Sequence, residues 1–234
     1  MGMKEIITIA KIHTDFPDKF GIPRQSVLGG ALKGRIVFEK KYGVKEAFLG
    51  IEEYSHLWLL WGFSKAEREG FTPSVHPPRL GGKEKRGVFA TRSPFRPNPI
   101  ALSVVKLEQV IWEGEDGVEL IVSGIDMLDG SPVYDVKPYL PYEDSVPEAL
   151  GSFGQQNKDL SIDVVFPKEL LDRVPAAKQD ALLSVLRQDP RAAYQKAPDY
   201  VYGMAFGGQD VRFTVQDGTL QVVDVVCGDA AKIK

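Results

Sequence analysis

The sequence predicts a mainly β protein, with a β-barrel-like N-terminal domain over residues 1–158 and a small C-terminal α+β domain over residues 159–234. Three features carry this expectation. Short apolar stretches recur between turn residues, glycine and proline crowd the connections, and helical periodicity appears only after a polar, Gly-containing stretch at 151–158.

Segments 6–12, 34–38, 56–63, 87–90, 100–111, 118–122 and 133–136 have strand length and are bounded by turn formers, as in a sheet or barrel. Pro77, Pro78, Gly81, Gly82, Pro94, Pro97 and Pro99 would break any helix laid across the middle of this region. Residues 151–158 read as a link or surface excursion. Beyond it Leu170, Leu171 and Val174, then Ala181, Leu182, Val185 and Leu186, recur at three- and four-residue spacing. That spacing puts them on one helical stripe over about 168–188, which Pro175 divides in two. Segments 211–215 and 220–226 face each other across Gln216-Asp217-Gly218-Thr219, where Asp-Gly suits a type I′ turn. The C-terminal domain is expected to fold on its own small core.

The composition, 43% hydrophobic, 26% charged and 10% aromatic, is that of an ordinary folded domain. The longest apolar run is Leu57 to Trp61, far short of the roughly 20 residues of a membrane-spanning helix. No basic segment feeds an apolar one at the start, so neither an export signal nor a membrane anchor is expected. The single cysteine, Cys227, excludes an internal disulfide and fits a reducing cytoplasm. It is expected to be buried and inert.

A net charge of −3 argues against a general positive coat for nucleic acid. Its distribution is uneven. Six basic residues between Arg79 and Arg96 face the single acid Glu84, whereas Glu108 to Glu148 holds eleven acids against Lys137 alone. No dinucleotide, P-loop, zincin or nucleophile-elbow motif is present, which disfavours the chemistries they serve. His13, His56 and His76 lack helical metal-ligand spacing, so no metal is assigned.

The run from Pro77 to Ile100 is the least like packing material. Glycines allow close backbone approach, prolines stiffen the loop, and Arg forks match carboxylates or phosphates. This describes a cationic binding loop; a rigid surface loop, or a proline-rich ligand through Pro94-x-x-Pro97, fits the same residues. Downstream, Asp126 and Asp129 at strand ends suit ribose hydroxyls or a cation, or else form a plain turn at Asp129-Gly130.

Six strings, 20–25, 54–58, 76–82, 87–100, 129–133 and 135–141, resemble the TsaA/TrmO family, as does Gln188-Asp-Pro-Arg-Ala-Ala-Tyr194. The likeness spans almost the whole chain in order. It implies a β-barrel methyltransferase that uses S-adenosylmethionine, acts as a homodimer, and modifies tRNA reading threonine codons. The acceptor would be the exocyclic nitrogen of threonylcarbamoyl-adenosine next to the anticodon. By motif position, cofactor contacts would fall on Pro23, Arg24, Gln25, Ser64, Lys65, Arg92, Leu102, Asp126, Met127, Leu128 and Asp129. Ser64 departs from the His that many members carry, and Ala192 from a common Pro.

The chemistry of the residues is compatible with that reading. Methyl transfer from a sulfonium needs alignment and exclusion of water more than acid–base help. Arg92 or Arg24 suits the donor's carboxylate, and Asp126 and Asp129 suit its ribose and positive sulfur. Lys83, Lys85, Arg86 and Arg96 suit RNA phosphates, as does Arg191 in the segment after the helices. Trp58, Phe95 or Tyr139 could stack on the target base, and Tyr139 or Lys137 could take its proton, as the catalytic candidates. The rivals are a non-enzymatic β-barrel that binds RNA or a proline-groove partner, and a hydrolase of a nucleotide derivative.

Overall fold

Alternation of buried and exposed residues gives the first half of the chain an inner and an outer face, and strand pairing closes it on itself. The computed structural model describes residues 5–23, 31–64, 71–77, 84–151, 161–191 and 200–228. Its N-terminal strands are β1 (Ala10–His13), β2 (Lys33–Phe38), β3 (His56–Gly62), β4 (Ser74–Val75), β5 (Arg86–Gly87), β6 (Ile100–Gly114), β7 (Gly117–Ser123) and β8 (Ser131–Pro138). Six of these close an antiparallel barrel in the order β1-β2-β7-β6-β3-β8, and β4 pairs with β5 as a separate ribbon. Ile12, Ile36, Leu57, Leu59, Leu120, Val122 and Val133 point inward and are fully buried. Each stabilises the fold by roughly 1.5–3 kcal/mol through loss of apolar surface to water.

β6 is long enough to serve two neighbours. Its first half pairs with β3 and its second with β7, and register shifts between Leu107 and Gln109 and between Ile111 and Gly114 bend it around the barrel. Gly117, at φ +121°, lies so close to the Gly43 carbonyl that a Cβ would overlap it.

The C-terminal half contains β9 (Asp163–Val165), β10 (Tyr202–Phe206), β11 (Gln209–Gln216) and β12 (Thr219–Cys227), in the order β10-β11-β12-β9. A short helix α1 (Pro141–Asp144) follows the barrel; α2 (Lys168–Leu171) and α3 (Ala176–Arg187) precede β10. Pro175 stands immediately before α3 and separates the two helices, as the sequence predicts. Asp217 and Gly218 both have positive φ, 50° and 80°, which is what a type I′ turn between β11 and β12 requires.

Several expectations are corrected. Residues 88–90 form a 3-10 turn instead of a strand, because both the amide and the hydroxyl of Thr91 bond back to the Val88 carbonyl. Ile6 and Ile7 are exposed, and pairing to β8 begins only at Ile9. Cys227 is exposed, at the last position of β12. The two halves also share one apolar core: the ring of Phe16, just past β1, meets Phe206 edge-on at 5.3 Å, and Phe20 stacks on Tyr202 and Phe213. Among the described residues no helix is long and apolar enough to cross a membrane.

Candidate functional site

The loop from Gly124 to Gly130 joins β7 to β8, and the chain running on from β1 stitches it down at several points. The Thr14 amide donates to Asp129 Oδ1 at 3.0 Å and the Thr14 hydroxyl to the Met127 carbonyl at 3.2 Å. The Asp129 amide donates to Phe16 O, and the Gly130 amide to Ile12 O. Ser131 Oγ closes the loop on the Leu128 carbonyl at 2.7 Å. So restrained, the loop turns Asp126 and Leu128 toward a cavity of about 250 Å³.

Four stretches of chain line that cavity. Trp61 comes from the end of β3 with Phe63 and Ser64 just beyond it, and Asp126 and Leu128 come from the loop with Ser131 at the start of β8. Lys19 and Ile22 come from the segment after β1, and Pro94 from the cationic loop. The walls are therefore mostly apolar, with one carboxylate held in place. Ser103, 2% exposed, holds it by donating to Asp126 Oδ1 at 2.7 Å while accepting from the Trp61 indole at 3.0 Å.

The cationic loop is stiffened from within. Thr91 Oγ1 accepts from the Ser93 amide, Ser93 Oγ accepts from the Phe95 amide, and Arg96 donates back to the Thr91 and Ser93 carbonyls. Arg96 also lies 5.9 Å from the centre of the Phe89 ring. Arg96 thus holds its own loop together. Arg92 is exposed, two residues from the cavity-lining Pro94.

Of the positions implied by the resemblance, Ser64, Asp126 and Leu128 converge on the cavity, and the buried Pro23 adjoins Ile22. Met127 does not: its side chain is fully buried in the core. The Asp129 carboxylate is engaged by the Thr14 amide and lies 3.4 Å from His13 Nδ1, outside the cavity lining. Leu102 is 45% exposed on the outer face of β6, because strand alternation that turns Ser103 inward turns its neighbour out. Arg24, Gln25, Lys65, Lys83 and Tyr194 lie outside the described residues.

The two catalytic candidates are not brought to the cavity. Val133 pairs with Trp61 at the cavity end of β8, whereas Lys137 pairs with Trp58, four residues further on and roughly 13 Å away. Lys137 is salt-bridged to Asp135 at 2.9 Å, and the Tyr139 ring rests against Trp58 and His56. Among the phosphate candidates, Arg86 pairs with Glu84 and Lys85 is exposed. Arg191 forms a two-point bridge to Asp189, which raises its pKa, and lies over Tyr202. That arrangement gives Arg191 a structural task in the C-terminal half.

Sequence reasoning did not single out Lys19, Ile22, Trp61, Phe63, Ser103 or Ser131, and held Pro94 only as part of the cationic loop. Alternation in 56–63 does turn Trp61 inward, but nothing local ties a lone Ser103 in an apolar strand to Asp126.

Known proteins match both halves of the chain. Residues 11–145 match the model of the tRNA-methyltransferase O N-terminal domain, and residues 159–227 that of the TrmO C-terminal domain. A tRNA (adenine(37)-N6)-methyltransferase of Escherichia coli K12 is 39% identical over 222 residues, covering 92% of this chain and 94% of that protein. A Pseudomonas aeruginosa protein assigned as an S-adenosylmethionine-dependent methyltransferase is 38% identical over 230 residues, covering 94% and 97%. The crystal structure of TrmO from Pseudomonas aeruginosa superposes with a TM-score of 0.75 at 34% identity, covering 96% of this chain and all of that one. The chain belongs to the tRNA-methyltransferase O family.

Proposed function

We propose that this protein transfers a methyl group from S-adenosylmethionine to the exocyclic nitrogen of adenine 37 in tRNA, with the donor seated in the cavity beside Asp126. Family membership over both halves supports the reaction. The convergence of Ser64, Asp126 and Leu128 on one cavity supports the seat. The cavity suits a nucleoside donor: apolar walls at Trp61, Phe63, Ile22 and Leu128 cover an apolar body, and a fixed carboxylate accepts from ribose hydroxyls or complements a positive sulfur. Its volume of about 250 Å³ lies just below the roughly 300–1,000 Å³ of small-ligand sites, so part of such a ligand would extend beyond the rim.

When bound, the donor supplies a methyl group already activated on positive sulfur. Within the chain, Asp126, held by Ser103, orients the bound molecule; Trp61 and Phe63 exclude water from the reacting end. Arg92, exposed and two residues from the cavity-lining Pro94, is the candidate to clamp the donor's carboxylate. Lys137 on β8 and Tyr139 just beyond it do not line the cavity, so neither is placed to take the acceptor's proton.

The finer reading is of a cytoplasmic homodimer acting on tRNA that reads threonine codons and carries the threonylcarbamoyl group. An apolar strip on the outer barrel face supports the dimer: Leu102 and Ile100 are 45% and 36% exposed beside Leu60 and Trp58. Leu102 faces away from its own cavity, so as a donor contact it serves the partner's site.

The test is methylation of threonine tRNA with and without the threonylcarbamoyl group, read by mass spectrometry of the nucleosides. One added methyl on the modified adenosine, and little on the unmodified transcript, is expected, because a pocket built for a substituent is left with unpaired groups when it is missing. Equal transfer to both removes the finer reading, and no transfer removes the whole.

A further inference from the structure

The cavity wall formed by Lys19 and Ile22 belongs by sequence to the barrel half, yet the C-terminal half holds it. The segment from Asp15 to Ile22 leaves β1, crosses the C-terminal sheet and returns to the cavity. Lys178, on α3, bonds to Asp15 Oδ1 at 2.6 Å across 163 residues of sequence, and reaches the Gly207 carbonyl at 3.3 Å. The Gly207 amide donates to the Asp15 carbonyl at 2.8 Å, so Asp15 is gripped by both its backbone and its side chain. Phe16 and Phe20 then lie against Phe206, Tyr202 and Phe213. Gly21, at φ +90°, lies so close to Met204 that a Cβ would overlap its sulfur. Ile22 follows directly and lines the cavity.

We propose that Lys178 is a positioning residue for the donor site, fixing through Asp15 the segment whose Lys19 and Ile22 form one wall of the cavity. The C-terminal half then tunes donor binding as well as any contact it makes with RNA. A bond between two half-buried side chains contributes little to global stability, but it sets where the segment lies, and coupling of this kind between sites is typically fivefold or more in affinity. The inference rests on the cavity being the S-adenosylmethionine site.

The test uses the full chain with Lys178→Met, Lys178→Arg and Asp15→Asn. Donor affinity is measured by calorimetric titration, folding by circular dichroism, and KM for donor and tRNA separately. The expected result is a donor Kd and donor KM raised roughly fivefold in Lys178→Met and Asp15→Asn, with kcat and tRNA KM unchanged and Lys178→Arg near the parent. Donor affinity unchanged in both folded variants overturns the proposal, as does a parallel loss of donor and tRNA affinity. A parent protein that binds no S-adenosylmethionine instead overturns the functional reading beneath it.

Discussion

Ser103 Oγ donates a 2.7 Å hydrogen bond to Asp126 Oδ1, tying barrel strand β6 to the loop that borders the cavity. The same hydroxyl accepts from Trp61, so one buried serine sets both a carboxylate and an aromatic wall. Ser103→Ala leaves the indole N–H without its acceptor in the core, which destabilises the protein by about 1–3 kcal/mol. It also frees Asp126 from one restraint, and S-adenosylmethionine should bind several-fold more weakly. Urea unfolding and a donor titration measure the two effects. Lower stability with an unchanged Kd would detach Asp126 from donor binding.

Arg92 is exposed, with the cavity-lining Pro94 two residues away on a loop stiffened by Thr91, Ser93 and Arg96. A charged hydrogen bond to the donor carboxylate is worth roughly 1.5–3 kcal/mol, so Arg92→Ala should weaken donor binding about tenfold or more. A dissociation constant equal to the parent's assigns Arg92 elsewhere.

What was legible in the sequence follows the range of the forces involved. β3 and the β11–β12 hairpin were readable because alternation and an Asp-Gly turn are local signals. At Asp126 the residues alone fit a plain turn as well as a site, and a donor role there came only from the family resemblance. The grip of Lys178 on Asp15 was not readable, since it spans 163 residues and nothing near either residue marks the other. Lys137 and Tyr139 looked catalytic because they are polar residues near a motif; the register, which pairs Lys137 with Trp58 and Val133 with Trp61, sets Lys137 away from the cavity, a placement no local signal reveals. The strand expected at 87–90 failed on one threonine side chain that closes a turn.

Lys85 and Arg86 lie on the cationic loop, Lys85 exposed and Arg86 paired with Glu84. If they meet tRNA phosphates, replacing both with Gln lowers affinity and flattens its dependence on salt, by about 0.7–0.9 in log–log slope for each phosphate no longer neutralised. Donor binding should not change. Identical slopes for parent and variant would show that the RNA runs elsewhere.

Glu108 accepts a 2.6 Å hydrogen bond from Ser123, and this, with Lys106 beside it, holds its pKa below the ordinary 4.5. A carboxylate depressed on folding contributes stability that is present above that value and is lost as pH falls through the lower folded value. Ser123→Ala should therefore destabilise the protein by about 1 kcal/mol at pH 7, with the difference from the parent shrinking below pH 4.5. Urea titrations at neutral and acid pH check this; a difference that stays constant across the range would point to packing at Ser123 instead.

A fragment ending near residue 154 separates the two halves of the chain. Read from sequence, the N-terminal half either binds the donor alone and loses only substrate positioning, or aggregates because the C-terminal half covers an apolar face of the barrel. The shared core favours the second outcome. Phe16 is fully buried against Phe206, and Phe20 stacks on Tyr202 and Phe213, so removal of the C-terminal half bares both rings. An aromatic side chain buries about 150–250 Å², and exposing two of them next to Ile22 creates an apolar patch that draws molecules together. The Asp15 carbonyl and carboxylate also lose Gly207 and Lys178. The fragment should bind a hydrophobic dye, self-associate and show no measurable S-adenosylmethionine binding, while the full chain does. Circular dichroism, light scattering and a donor titration on the same preparation decide the matter. A monomeric, folded fragment with the parent's donor affinity would mean that the segment from Asp15 to Ile22 holds its place without the C-terminal half.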